Sequence, residues 1–268
     1  MRTIRWTAGA VAMALAVPLG AQTPDERAAA RDLAQKRGDA IIIVMGTLKA
    51  RMSQGGRDTP APDQTVRASA TVLDPTGLAV VALSAIDPGN IIGKNPNFAA
   101  AKMTFTTELV DVKMRLADGK EVPARVVLRD SDLDLLFVRP TTAPASPMAA
   151  VDAASARLAA LDPVIIVQRF GEATGWKVGA AVGAVELVVD SPRTFYQVAV
   201  TTTGNITGAT AFDVKGQFAG VMTLRATEDA KASALNGMQG TMLQTLGMIP
   251  VVIPAADIRE VAKQAAAK

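Results

Sequence analysis

The chain of 268 residues contains no cysteine and no histidine. Without cysteine there is neither a disulfide framework nor a lipidated N-terminal cysteine, so a domain exported from the cell would be held together by its core alone. Without histidine, the usual general base is missing from every mechanism the chain is offered. Charge of one sign is scarce as well, with 28 Lys and Arg against 25 Asp and Glu. The pI of about 9.3 overstates that slight basic excess, because little titrates between the carboxylates and the lysines once histidine and cysteine are gone. No basic patch of the kind nucleic acid requires is present, and no nucleic-acid partner is expected. After residue 21 no stretch is long and apolar enough to cross a membrane.

What is present begins with a targeting pattern. Arg2 and Arg5 precede an apolar run from Ala8 to Val17, then Pro18 and the small-residue sequence Leu19-Gly20-Ala21. This is the order of a secretory signal, with cleavage expected after Ala21. The run is shorter than the roughly 20 residues of a membrane anchor, which favours removal over retention. Export would place residues 22–268 in the periplasm or the medium with a net charge of +1, since Arg2 and Arg5 leave with the signal. That length suffices for one large all-β domain or two small ones.

The pattern that follows is mostly β. PDERAAARDLAQKRG at 24–38 predicts a short polar helix stopped by Gly38. Apolar segments bounded by turn residues then predict strands at 41–50, 66–74, 78–83 and 102–109, a hairpin over 112–130 turning at Asp118-Gly119, and a strand at 134–140. Residues 141–162, rich in Ala, Pro, Ser and Thr, break the pattern and read as a connector. Strands resume at 163–171, 177–190, 195–202, 210–224 and 248–254, and the chain ends in a helix from Ala255. The insert 226–247, with Met238 and Met242 among small residues, reads as a mobile surface loop or, alternatively, as an adaptable contact surface. The expected fold is all-β: two six-stranded antiparallel β-barrels, one over 22–140 and one over 163–268, with short helices at both ends.

The order of motifs resembles the protease domain of the HtrA (Deg) family of trypsin-like serine proteases. GLAVVALSAI at 77–86 is similar to the family's Gly-x-Ile/Val-Val-Thr-x-x-His-Val-Val, and LADGKEVPARVVLRDSDLDLLFV at 116–138 to its Asp-Gly hairpin followed by Asp-x-x-x-Asp-Leu/Ile-Ala-Val-Leu. PVIIVQRFG at 163–171, QFAGVMTL at 217–224 and IPVVIPAADIREVAKQ at 249–264 resemble the strand entering the second barrel, the strand after the nucleophile, and the closing strand and helix. The likeness runs in order from about residue 36 to residue 264. A counterpart of the family's PDZ module, and with it a peptide-binding appendage, is not expected.

Carried over residue by residue, the resemblance puts the family's histidine at Ser84, its aspartate at Asp134 and its serine at Thr207. Gly208, Ala209 and Thr210 stand for the family's Gly-Gly-Pro, and Asn205 for the glycine two places before the nucleophile, so Asn205 and Thr207 occupy the oxyanion positions. A serine hydroxyl neither accepts a proton at neutral pH nor holds a positive charge, so Ser84 cannot do the work of an imidazole. Loss of the histidine alone costs subtilisin about six powers of ten in turnover, roughly 8 kcal/mol of barrier.

Other chemistries fare no better. A threonine-lysine dyad needs a buried lysine with a lowered pKa, and Lys215 falls in a turn that reads as solvated. Asp130, Asp132 and Asp134 alternate along DSDLD but lack the glycine and distal glutamate of an EF-hand, so that run reads as a solvated turn rather than a calcium loop. The resemblance therefore implies an exported pseudoprotease without cofactor, binding an extended peptide or protein partner between its barrels. Homo-oligomerisation is permitted by the family. The rival expectations are a working peptidase using Thr207, Ser84 and Asp134, and a purely structural domain.

Overall fold

The computed structural model describes residues 22–55, 57–89, 103–200, 206–226 and 248–267. The signal segment 1–21, Asn205 and nearly all of the insert 226–247 lie outside the described residues, and so do their expected roles.

Helix α1 (Pro24–Arg37) opens the fold. Thr23 caps it: its hydroxyl accepts from Glu26 N at 3.2 Å while Glu26 Oε2 accepts from Thr23 N at 2.7 Å, a reciprocal capping box. Acidic Asp25 and Glu26 sit in the first turn and basic Lys36 and Arg37 in the last, both favourable to the helix dipole. Thr23→Ala is expected to cost about 1 kcal/mol, read as a drop of about 3 °C in the thermal midpoint.

Seven strands follow: β1 (Ile41–Gln54), β2 (Arg57–Pro60), β3 (Gln64–Val72), β4 (Ala79–Ala82), β5 (Met103–Arg115), β6 (Glu121–Asp130) and β7 (Leu135–Pro140). Their order is β2-β1-β3-β4-β7-β6-β5, and β1 also pairs with β5. That last pairing closes a six-stranded barrel, with β2 as an added edge beyond the mouth. Six more strands form the second closed barrel: β8 (Pro163–Arg169), β9 (Val178–Val189), β10 (Phe195–Val200), β11 (Thr210–Phe212), β12 (Phe218–Ala226) and β13 (Met248–Pro254), in the order β10-β13-β12-β11-β8-β9. All strand pairings in both barrels are antiparallel. Numbered within its own barrel and leaving β2 aside, each runs 1-2-3-6-5-4 around the ring, so the two halves share one topology. The fold is thus two closed six-stranded antiparallel β-barrels, consistent with the trypsin-like double barrel that the resemblance implies.

The apolar runs explain where the barrels meet. In IIIV at 41–44, LLFV at 135–138 and VIIV at 164–167 alternate residues go to different cores. Ile42, Val44, Leu136 and Val138 fill the first barrel, and Val164 and Ile166 the second. Ile41, Leu135, Phe137, Ile165 and Val167 pack into a third core between the barrels. A strand buried on both faces has no polar face to alternate with, hence the continuous runs. Each such side chain contributes about 1.5–3 kcal/mol by burial.

Two expected strands, 102–109 and the start of the 112–130 hairpin, are one strand in the structure. β5 passes straight through Asp111, whose φ of 53° is a conformation aspartate tolerates better than most residues, while its partner β1 shifts register between Met45 and Thr47. The expected strand 210–224 is instead split by a turn at 213–217, where Asp213 Oδ1 accepts from Lys215 N at 2.9 Å and Gln217 N at 2.8 Å. A second helix, α2 (Leu83–Ile86), follows β4 without interruption, and α3 (Ala255–Ala266) closes the chain.

The terminal helices cross over. Helix α1, made before the first barrel, packs on β9 and β8 of the second, with Gln22 Nε2 donating to Val182 O at 3.0 Å. Helix α3, made after the second barrel, touches β12, β13 and also β6 of the first. The connector is stitched to both barrels: Val151 N donates to Val72 O at 3.0 Å, and Ala156 N to Phe218 O at 2.8 Å. At Asp152 both helices meet it. Arg37 of α1 holds the Asp152 carboxylate with its two terminal guanidinium nitrogens, and Arg259 of α3 donates to the Asp152 carbonyl and to Ser155 Oγ.

Candidate functional site

Ser84 lies in α2, a single turn too short to satisfy its own leading N–H groups and without a side-chain cap from Ala82. Asp134 supplies the cap from just ahead of the adjacent strand β7, next to the Ala82–Leu135 pair. Its carbonyl accepts from Leu83 N at 2.8 Å and its Oδ1 from Ser84 N at 2.9 Å, while Oδ2 accepts from Ser84 Oγ at 2.5 Å. Leu224 N of β12 also donates to Oδ2, at 3.3 Å. Asp134 is buried (4 % exposed), holds φ at 58°, and sits immediately before β7. One carboxylate therefore ties a turn of the first barrel to a strand of the second. The Ser84 backbone that Asp134 holds is near it in space but 50 positions away in the chain.

The solvated turn expected for DSDLD is found only in its first half. Asp130 Oδ1 accepts from Asp132 N and Leu133 N at 3.0 and 2.9 Å, a local turn, whereas Asp134 is fully engaged inside. No group of three or more acidic residues that could hold a metal ion occurs among the described residues.

Thr207 occupies the turn leading into β11 and is buried, 8 % exposed. Behind it Gly208 N donates to Met222 O at 2.7 Å and Ala209 N to Ile206 O at 2.9 Å. Gly208 has φ 89°, and a Cβ there would lie 2.7 Å from the Ser69 carbonyl oxygen, so glycine lets this turn press directly on β3 of the first barrel. Two positions on, a buried hydrogen bond of 2.6 Å joins the hydroxyls of Thr210 and Thr71 across the same seam. Lys215 is exposed in the turn at 213–217, as expected for a solvated lysine.

Ser84 and Asp134 are thus in direct contact, and the Thr207 turn faces the same inter-barrel space. A cavity of about 160 Å³ is lined from the first barrel by Ser69 and by Ala85, the neighbour of Ser84, and from the second by Thr207, Gln168 and Arg169. Arg169 escaped the sequence reading. Its guanidinium donates to three carbonyls, Ile41 O at 2.6 Å, Gly38 O at 2.7 Å and Trp176 O at 2.9 Å, fastening the start of β1 to the β8–β9 turn. Burial pulls the Arg169 pKa below the usual arginine range, Asp39 opposes this, and Arg115 adds to it. Trp176 carries Arg115 over its ring at 4.6 Å and Arg67 at 5.8 Å, so two arginines of the first barrel grip a turn of the second. On β12, Thr223 is fully buried and its hydroxyl has no hydrogen-bond partner.

No protein-family model matches this chain, and no curated protein matches it either.

Proposed function

We propose that the chain is an exported pseudoprotease of the trypsin-like, HtrA-like kind, which holds a peptide or protein partner between its barrels without cleaving it. One observation carries the reading: the carboxylate that would orient an imidazole is spent as the cap of α2, with the Ser84 hydroxyl donating to it. A serine hydroxyl is too weak a base to take the proton of Thr207 at neutral pH, and the chain has no histidine or cysteine to replace the missing imidazole. Lys215 lies exposed in its turn, which leaves the lysine route without a desolvated amine. The shared ring order of the two barrels and the assembly of Ser84, Asp134 and the Thr207 turn along one seam support the family resemblance. The cavity there is what remains for a partner, since peptide recognition by backbone and pocket contacts does not require a triad.

The reading is tested with casein and a fluorophosphonate probe, using the purified chain beside its Thr207→Ala variant. Neither protein is expected to cleave or to take the label, a rate at least about six powers of ten below that of an intact triad enzyme. Cleavage by the parent that vanishes in Thr207→Ala would establish a working peptidase instead.

A further inference from the structure

The inter-barrel cavity has donors to spare. Gln168 is 7 % exposed, lines the cavity, and its side-chain amide bonds to no described residue. Ser69, equally buried, accepts from Arg169 N at 3.1 Å, which leaves its hydroxyl proton to give. Arg67 and Arg169 also line the space, and no lining residue among those described carries a carboxylate. The Arg169 charge is solvated by three neutral carbonyls and takes part in none of the ion pairs among the described residues. Arg67 faces Glu172 at 3.6 Å, but both side chains are open to water, 44 % and 77 % exposed, so that pair is weak and exchangeable.

A half-buried cation with no carboxylate in direct contact, beside an unused amide and an unused hydroxyl, suits a ligand that only accepts. An ionised carboxylate does this, with about four lone-pair sites and no proton to place. Size narrows the choice. At about 160 Å³ the cavity is well below the ~300 Å³ at which pockets begin to enclose whole drug-sized molecules, and it suits the end of a chain. We propose that this cavity receives the α-carboxylate of a peptide, so that the partner enters by its C-terminus rather than by an internal segment. The proposal rests on the peptide-binding reading and specifies which part of the peptide is held.

The test follows the Gln168 side-chain amide signal of ¹⁵N-labelled protein during titration with four probes: acetyl-tetraalanine as the free acid, the same peptide as its C-terminal amide, acetyl-alanine, and inorganic phosphate. The free acid is expected to shift the signal and to bind at least about tenfold more tightly than the amide, the difference that charge-assisted hydrogen bonds supply. Gln168→Glu, nearly equal in shape, should abolish the preference, and Arg67→Met, at a partly exposed position, should weaken free-acid binding and its salt dependence together. Equal binding of acid and amide overturns this proposal and leaves the peptide reading standing. Binding of acetyl-alanine but of neither peptide keeps a carboxylate site and removes the peptide. A response to phosphate alone, or to no probe, overturns the proposal.

Discussion

Asp134→Ala should lower the unfolding free energy by about 3–5 kcal/mol, which for a chain of this size moves the thermal midpoint by about 10 °C. Three donors lose their acceptor at once: Ser84 N, Ser84 Oγ and Leu224 N. Each donor left buried and unpaired costs about 1–3 kcal/mol, and water entering the gap recovers a part. The backbone adds its own share, since φ at this position is 58° and alanine is strained there by about 1 kcal/mol. Asp134→Gly separates the two contributions. It removes the same acceptor without the dihedral strain and should be about 1 kcal/mol less damaging, unless the greater freedom of glycine in the unfolded chain cancels the gain. Chemical denaturation of the three proteins measures both. A loss under 1 kcal/mol for Asp134→Ala would mean that the carboxylate does not hold α2, and the structural account of the aspartate would fall.

A still larger effect is expected at Gly220, the third residue of β12. A Cβ there would lie 1.9 Å from the carbonyl oxygen of Ile253 and 2.7 Å from Val252 Cγ1, and φ is 155°, a value side-chain-bearing residues rarely adopt. The obstacle is backbone of β13, the partner strand in a closed ring, so it cannot yield without opening the barrel. Gly220→Ala should cost at least about 4 kcal/mol and surface as loss of soluble protein or a sharply lowered midpoint. The matched control is Gly171→Ala, where a Cβ meets nothing within 4 Å and φ is −80°. That change should be neutral or raise stability by up to about 1 kcal/mol through the unfolded chain. Comparable losses in the two variants would contradict the packing seen around β12.

Much of this fold is legible from composition and spacing, because the strands that matter most are apolar on both faces. Runs such as IIIV at 41–44 and LLFV at 135–138 announce themselves without alternation. The exposed edge strand β2 (RDTP) does not, being polar throughout and holding a proline, and its strand character comes only from pairing with residues 51–54 of β1. The one-turn helix α2 was hidden for a related reason. Its sequence LSAI has no cap of its own, and the cap arrives from Asp134, fifty residues later. Of the site, the positions Ser84, Asp134 and Thr207 were reachable only through family resemblance. Arg169 and Gln168 gave no signal at all, since what distinguishes them is whether a guanidinium or an amide finds partners in a space made by two distant halves.

The crossing of the terminal helices sets a timetable for synthesis. The first segment to leave the ribosome after residue 21 is α1, yet the strand it leans on, β9, emerges some 150 residues later, and until then its apolar Ala30 and Leu33 have nowhere to go. The first barrel must likewise await α3 to cover β6. Neither half is finished when its own last strand is made, so a chain of this design stays incompletely folded until α3 has docked.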